Sequence, residues 1–125
     1  MKMAEAKGKL LYLTTQGPED PEKATLPFSM ALGALAMEYE AIIILQSNAV
    51  HLARKGVAEH VFAAGITALK EQMDLFLAEG GKIVVCTACL NARKIEEDEL
   101  DDKVEIGSVA RFATESAEAA NVICY

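Results

Sequence analysis

The sequence predicts a small three-layer α/β/α sandwich, built on a five-stranded, mainly parallel sheet. Three observations lead there. Short apolar runs rich in β-branched residues recur along the chain without polar alternation, as expected of strands covered on both faces. Between them, apolar residues fall at the three- and four-residue spacing of helix faces. Strands separated by helices imply right-handed βαβ crossovers, and therefore parallel neighbours with helices on both faces. A length of 125 residues suits one domain spanning 1–125, and no linker, repeat or low-complexity segment interrupts it.

The first strand is predicted at 9–14, an apolar run closed by the turn chemistry of Gln16-Gly17-Pro18. After a loop over 18–21, Phe28, Leu32, Leu35, Ala36 and Tyr39 mark one face of a helix over about 24–38. Ala41-Ile42-Ile43-Ile44-Leu45 is the second strand, ending at Gln46-Ser47-Asn48. A short helix plus loop should fill 49–65. A helix through Ile66, Leu69, Met73, Phe76 and Leu77 should then stop at Gly80-Gly81. The third strand is expected at 82–85, with Cys86 just beyond its last β-branched residue. The acidic run over 96–102 reads as a solvated loop, and 104–106 as a short fourth strand. Ser108 can cap a helix presenting Val109, Phe112, Ala113, Ser116 and Ala120, before a fifth strand at 121–124.

Composition narrows the function. Hydrophobic residues make up 52% and charged residues 25%, enough to fill a core and cover a surface, which excludes disorder and fibrous repeats. With 12 Lys+Arg against 19 Asp+Glu the net charge is −7, and the positive residues are scattered, which argues against nucleic acid and anionic membrane surfaces as partners. The stretch 1–9 lacks the apolar segment of a signal peptide, and the longest mostly apolar run, 30–37, is far too short to span a bilayer. A cytoplasmic protein is expected. Three cysteines are an odd number for a disulfide framework and invite a chemical or a packing explanation.

In open parallel sheets ligands bind outside the carboxyl ends of the strands, so 14–17, 47–51 and 86–93 should meet on one rim. Cys86-Thr87-Ala88-Cys89 lies there as a CxxC that ends a strand and opens a short helix. Backbone N–H groups at a helix start favour a thiolate, so Cys86 is expected to be the reactive thiol, with a lowered pKa. Cys89, one turn on, is accessory, and Arg93 could offset a thiolate or persulfide charge. Cys124 is expected to pack inertly in the core. Zinc held by Cys86, Cys89 and His51 or His60 would need a fourth ligand, and no second CxxC or HxxxH supplies it. His51, just past the second strand, could donate a proton or orient a substrate, whereas His60 has no such context. Thr14-Thr15-Gln16-Gly17 could admit an anion as phosphate turns do, but it lacks a full glycine-rich signature, and no aromatic loop is placed to sandwich a flavin. No cofactor or metal is expected.

These residues resemble the DsrE/DsrF-like family, which includes YchN-like proteins and sulfur-relay subunits of tRNA thiolation and dissimilatory sulfur oxidation. The resemblance spans most of the chain. It is strongest in Ser47-Asn48-Ala49-Val50-His51-Leu52-Ala53 and in Gly80-Gly81-Lys82-Ile83-Val84-Val85-Cys86-Thr87-Ala88-Cys89-Leu90-Asn91-Ala92-Arg93-Lys94-Ile95. The family pattern runs glycine, strand, cysteine, small-residue helix, then Arg-Gly and an aliphatic residue, so Lys94 stands where glycine is usual. The resemblance implies a flavodoxin-like fold, with Cys86 in the place of the sulfur-carrying cysteine and Cys89 matching a second cysteine of some members. It also implies an intracellular sulfur carrier that holds sulfane sulfur as a persulfide and relays it between donor and acceptor proteins. A non-catalytic oligomeric binding module and a dithiol oxidoreductase using Cys86 and Cys89 remain as alternatives. Self-association is expected on separate grounds. No charge occurs over 25–37, where Leu26, Met30, Ala34 and Met37 lie outside the main stripe, and Val61, Phe62 and Ile66 add apolar surface. By resemblance, the closed forms would be trimers or hexamers.

Overall fold

The computed structural model describes residues 7–125. The chain runs β1 (Lys9–Thr14), α1 (Pro21–Ala36), β2 (Glu40–Leu45), α2 (Leu69–Ala78), β3 (Lys82–Cys86), α3 (Thr87–Ala92), β4 (Glu105–Gly107), α4 (Val109–Glu118) and β5 (Asn121–Cys124), with 3-10 turns at Ser47–Ala53, Ala58–His60 and Glu97–Glu99. The strands order as β4-β3-β2-β1-β5, and every pairing is parallel. The first three crossovers step one way across the sheet, whereas the last jumps back over three strands. Right-handed crossovers therefore put α4 on the face opposite α1 and α2. A Cβ on Gly81 would run into the Phe76 ring of α2, while one on Gly107 would meet Val84 and Phe112 of α4.

Helix α1 begins earlier than the apolar spacing suggests. Asp20 caps it by accepting the Lys23 N–H at 3.2 Å, and Pro21 occupies the first turn, where its missing N–H has no partner to lose. Its buried face is also rotated: Ala24, Ala31 and Ala34 lie beside Phe28 and Leu35, and Ala36 is exposed. The alanines let the helix approach the sheet, so Ala34 belongs to the core. α2 starts at Leu69 rather than near Ile66, and after Ala78 and the cap Glu79 the chain leaves it at Gly80, whose φ of 98° is left-handed; Gly81 N–H then returns to the Phe76 carbonyl.

Three further expectations need correction. Residues 96–102 are not simply solvated, because Leu100 is buried and forms an antiparallel bridge to Arg54, while Arg54 pairs with Glu99. On α4 only Phe112 of the expected stripe is buried; Val109 and Ala113 face solvent. Cys124 is exposed, since β5 is an edge strand covered thinly, and it is not a core residue. No helix among the described residues is long and apolar enough to cross a membrane.

An ion network ties α4 to the sheet. Lys9 donates to Glu115 at 2.7 Å and reaches Glu118 at 3.3 Å, while Arg111 pairs with Glu105 at 2.8 Å and with Glu115 at 3.4 Å. The hydrogen bond from Lys9 holds the Glu115 carboxyl below its ordinary value against the opposing effect of burial, and Arg111 adds to it. The same bond raises Lys9. Stability from Glu115 is thus present above its unfolded pKa of 4.5 and is lost as pH falls through the lower folded value. Stability from Lys9 is present below 10.5 and is lost as pH rises through its higher folded value. Glu115→Gln should lower urea stability at pH 7 by about 1–2 kcal/mol, and the deficit should shrink as pH falls below 4.5 and through the lower folded pKa of Glu115. A deficit that stays constant over that range would show that shape rather than charge holds α4.

Candidate functional site

The rim at the carboxyl ends of β1, β2 and β3 brings three loops together. Gly17 packs so tightly against the loop after β2 that a Cβ would overlap the Asn48 carbonyl. The glycine serves this backbone contact rather than the approach of an anion. Ser47, the second residue of that loop, has a left-handed φ of 52°, a conformation that residues other than glycine and asparagine seldom adopt. It aims its N–H at the Cys89 sulfur, 3.2 Å away.

Cys86 is the last residue of β3, paired with Gly107 of β4, and α3 starts at the next residue. Strand alternation points it to the face of Val84, which α4 covers. It is only 3% exposed, whereas Cys89 is half-buried. Burial pushes the Cys86 thiol above its ordinary pKa. The N–H groups of Cys89 and Ala88 pull it down without overcoming that effect, and the neighbouring Cys89 thiol pushes it further up. The expected lowered pKa is therefore not what the site produces. A six-residue helix contributes two amides to this sulfur, and those do not offset the loss of water.

Arg93 closes the arrangement in a way its sequence position did not reveal. Its Nε and Nη2 donate to Asn48 Oδ1 at 3.2 and 3.1 Å, Nη2 also reaches Ser47 Oγ at 3.4 Å, and Nη1 donates to the Cys89 carbonyl at 3.3 Å. The guanidinium is spent on holding the loop of Ser47 and Asn48 against α3, and none of its hydrogen bonds goes to a sulfur. Lys94 follows with φ 55°, the left-handed conformation that glycine adopts freely, so lysine here keeps the turn at some backbone cost. Ser47 and Asn48 were legible only as polar residues closing a buried strand; that position at the sheet's carboxyl edge was the available signal.

His51 lies on the same loop, half-buried, with Nδ1 3.4 Å from Arg54 Nη1. Burial lowers its pKa, the charges of Arg54 and Arg93 lower it further, and Glu19 opposes them weakly, so the imidazole is neutral at pH 7. His60 is exposed on the turn Ala58–His60, and Cys124 sits on the edge strand opposite Leu13. Among the described residues no three His, Cys, Asp or Glu side chains gather as a metal-ligand set.

A fully parallel α/β sheet bearing two thiols one helical turn apart at its carboxyl edge defines a class of small thiol-bearing α/β domains. The chain belongs to the DsrE/DsrF-like family, whose model matches residues 8–125. It is similar to two uncharacterized proteins of Methanocaldococcus jannaschii. Identity to MJ0760 is 32% over 104 residues, which is 83% of this chain but only 38% of that protein. Identity to MJ0989 is 26% over 117 residues, covering 94% of this chain and 99% of that one. Among solved structures, the ychN protein from E. coli superposes with a TM-score of 0.80 at 20% identity, over 94% of this chain and 99% of that one. MTH1491 from Methanobacterium thermoautotrophicum, a protein of unknown function, gives 0.77 at 15% identity, over 95% and 100%. At such identities these two likenesses establish the fold.

The loop clamp is testable. Lysine cannot reproduce the two-pronged contact with Asn48. Arg93→Lys and Asn48→Ala should each lower urea stability by about 1–2 kcal/mol, and hydrogen exchange at the Ser47 amide should accelerate about tenfold or more. Unchanged exchange at Ser47 in both variants would show that the loop holds its shape without the clamp.

Proposed function

We propose that the protein is a sulfur carrier that holds sulfane sulfur as a persulfide on Cys86 and relays it to a partner. The observation that carries this reading is the pair Cys86 and Cys89 at the carboxyl edge of the sheet, on a chain of the DsrE/DsrF-like family. A thiolate attacks the terminal sulfur of a donor persulfide, the donor thiolate leaves, and Cys–S–SH remains until an acceptor thiolate repeats the displacement. This chemistry needs thiols, donors to negative sulfur and exclusion of competing nucleophiles. The rim supplies amides to Cys86 and a nearly water-free setting. Donor and acceptor proteins are the implied partners. A reducing cytoplasmic setting suits three free cysteines, and a net charge of −7 disfavours polyanionic partners.

Wild-type protein isolated without reductant, or treated with inorganic polysulfide, should carry an excess of about 32 Da that maps to Cys86, and after brief exposure to dithiothreitol Cys86→Ser should no longer carry it. A Cys86 peptide that holds only free thiol after such treatment would argue against the carrier. The spacing of the two thiols, one helical turn apart, favours a second reading, a dithiol oxidoreductase. A loss of about 2 Da through a Cys86–Cys89 disulfide, in place of the added sulfur, would support it.

Self-association as a trimer or hexamer is the second part of the proposal. Met30, Met37 and Phe62 are 55%, 60% and 64% exposed, and Leu32 and Leu75 line an apolar groove between α1 and α2. Ala34 and Val61, expected to add to that surface, are buried in the chain's own core. Light scattering at micromolar concentration should give about three or six times the chain mass of 13.4 kDa. A mass of one chain would contradict it.

A further inference from the structure

We infer that sulfur reaches the site at Cys89 and is then passed inward to Cys86, so that the two thiols act in series. The inference rests on the carrier reading above and adds an order of events to it. Displacement at sulfur needs the incoming thiolate, the sulfur and the leaving group nearly in line, which calls for open space in front of the attacking thiolate. Cys86, 3% exposed, has no such space for a donor arriving from solvent and can be reached only from a neighbouring side chain, whereas Cys89 is partly exposed at the rim.

Cys89 is also the sulfur to which a donor outside its own helix has been brought. The Ser47 N–H at 3.2 Å comes from a residue held in a left-handed conformation. The loop carrying it is fixed from two sides, by the Arg93 contacts to Asn48 and by the close approach of Gly17. A backbone N–H aimed at sulfur stabilises negative charge on it, both when the thiolate attacks and when it is released.

In the first step the Cys89 thiolate bonds to the terminal sulfur of the donor persulfide, the donor S–S bond breaks, and its electron pair leaves with the donor thiolate. In the second, Cys86 Sγ bonds to that same terminal sulfur as the S–S bond of Cys89 breaks. The electron pair stays on Cys89, which takes up the proton that Cys86 gives up. Cys–S–SH and Cys–SH thereby exchange places, and no external oxidant or reductant is consumed. Cys86 caps α3 and Cys89 is the third residue of that helix, so the two side chains are neighbours one turn apart, as this step requires. Burial that makes Cys86 a poor first nucleophile makes it a sheltered store.

The experiment uses full-length protein in a Cys124→Ser background, because Cys124 is exposed and would react. With limiting iodoacetamide at pH 8, peptide mapping should show Cys89 modified at least about tenfold faster than Cys86, a result independent of any sulfur chemistry. With inorganic polysulfide, Cys86→Ser should load Cys89 at the rate of the parent and lose that sulfur readily to dithiothreitol, while Cys89→Ser should load Cys86 at least about tenfold more slowly. Alkylation of Cys86 as fast as Cys89, or undiminished loading of Cys86 in Cys89→Ser, overturns the serial order and leaves the carrier standing. Sulfur on neither cysteine in any variant overturns the carrier, and the transfer with it.

Discussion

Because Ile42 to Leu45 pair in parallel with β1 on one side and β3 on the other, and are almost wholly buried, β2 fixes where every neighbouring strand ends. Burying such side chains is worth roughly 1.5–3 kcal/mol each, and a one-residue slip would turn each to the opposite face. The register therefore sets the levels at which β1 stops at Thr14, β2 at Leu45 and β3 at Cys86. The loops that follow have little choice but to meet. Gly17, Ser47, Asn48 and the CxxC turn come together as a consequence of a hydrophobic core that itself holds no reactive group other than Cys86.

That core also decides the electrostatics of Cys86. Two amides facing a sulfur would lower its pKa in a solvated setting, yet here the thiol ends a strand sandwiched between layers, and desolvation is the larger effect. Cys89 has one external amide and a share of solvent. The two thiols, three residues apart, thus occupy different environments, and a CxxC read as a repeated residue type conceals this. Arg93 follows the same logic. A guanidinium near sulfur suggests charge compensation, but its donors are already committed to Asn48, Ser47 and the Cys89 carbonyl.

What could be read from the sequence was what depends on local spacing. Ala41 to Leu45 announced a buried strand, Gly80-Gly81 a helix stop, and Cys86 the end of β3, because each depends on a few neighbouring residues. The start of α1 was legible in principle, since Asp20 before Pro21 is a cap followed by a first-turn proline, but the large apolar residues that share one helix face begin only at Phe28, two turns further on. Other features were not local. The exposure of Cys124 follows from β5 being an edge, which depends on the strand order. Burial of Cys86 requires knowing that β3 is flanked by β2 and β4 rather than standing at an edge. The role of Arg93 requires that Asn48, 45 positions earlier, be brought to it.

Two residues of the rim, Ser47 and Lys94, sit in left-handed conformations without being glycine, and they stand at opposite ends of one bonded unit. Each costs on the order of 1 kcal/mol or more, so the surroundings must over-determine them. Arg93 provides that constraint. It adjoins Lys94 in sequence and bonds the Ser47 hydroxyl and the Asn48 amide oxygen across the gap, so one side chain ties both strained turns together. Relaxing Ser47 to an ordinary conformation would swing its N–H away from Cys89, and relaxing Lys94 would shift the guanidinium that holds Ser47. The strain is stored where it keeps a hydrogen-bond donor on a partly buried sulfur, so the position of the Ser47 N–H is imposed by the bonded neighbours rather than by the backbone's own preference.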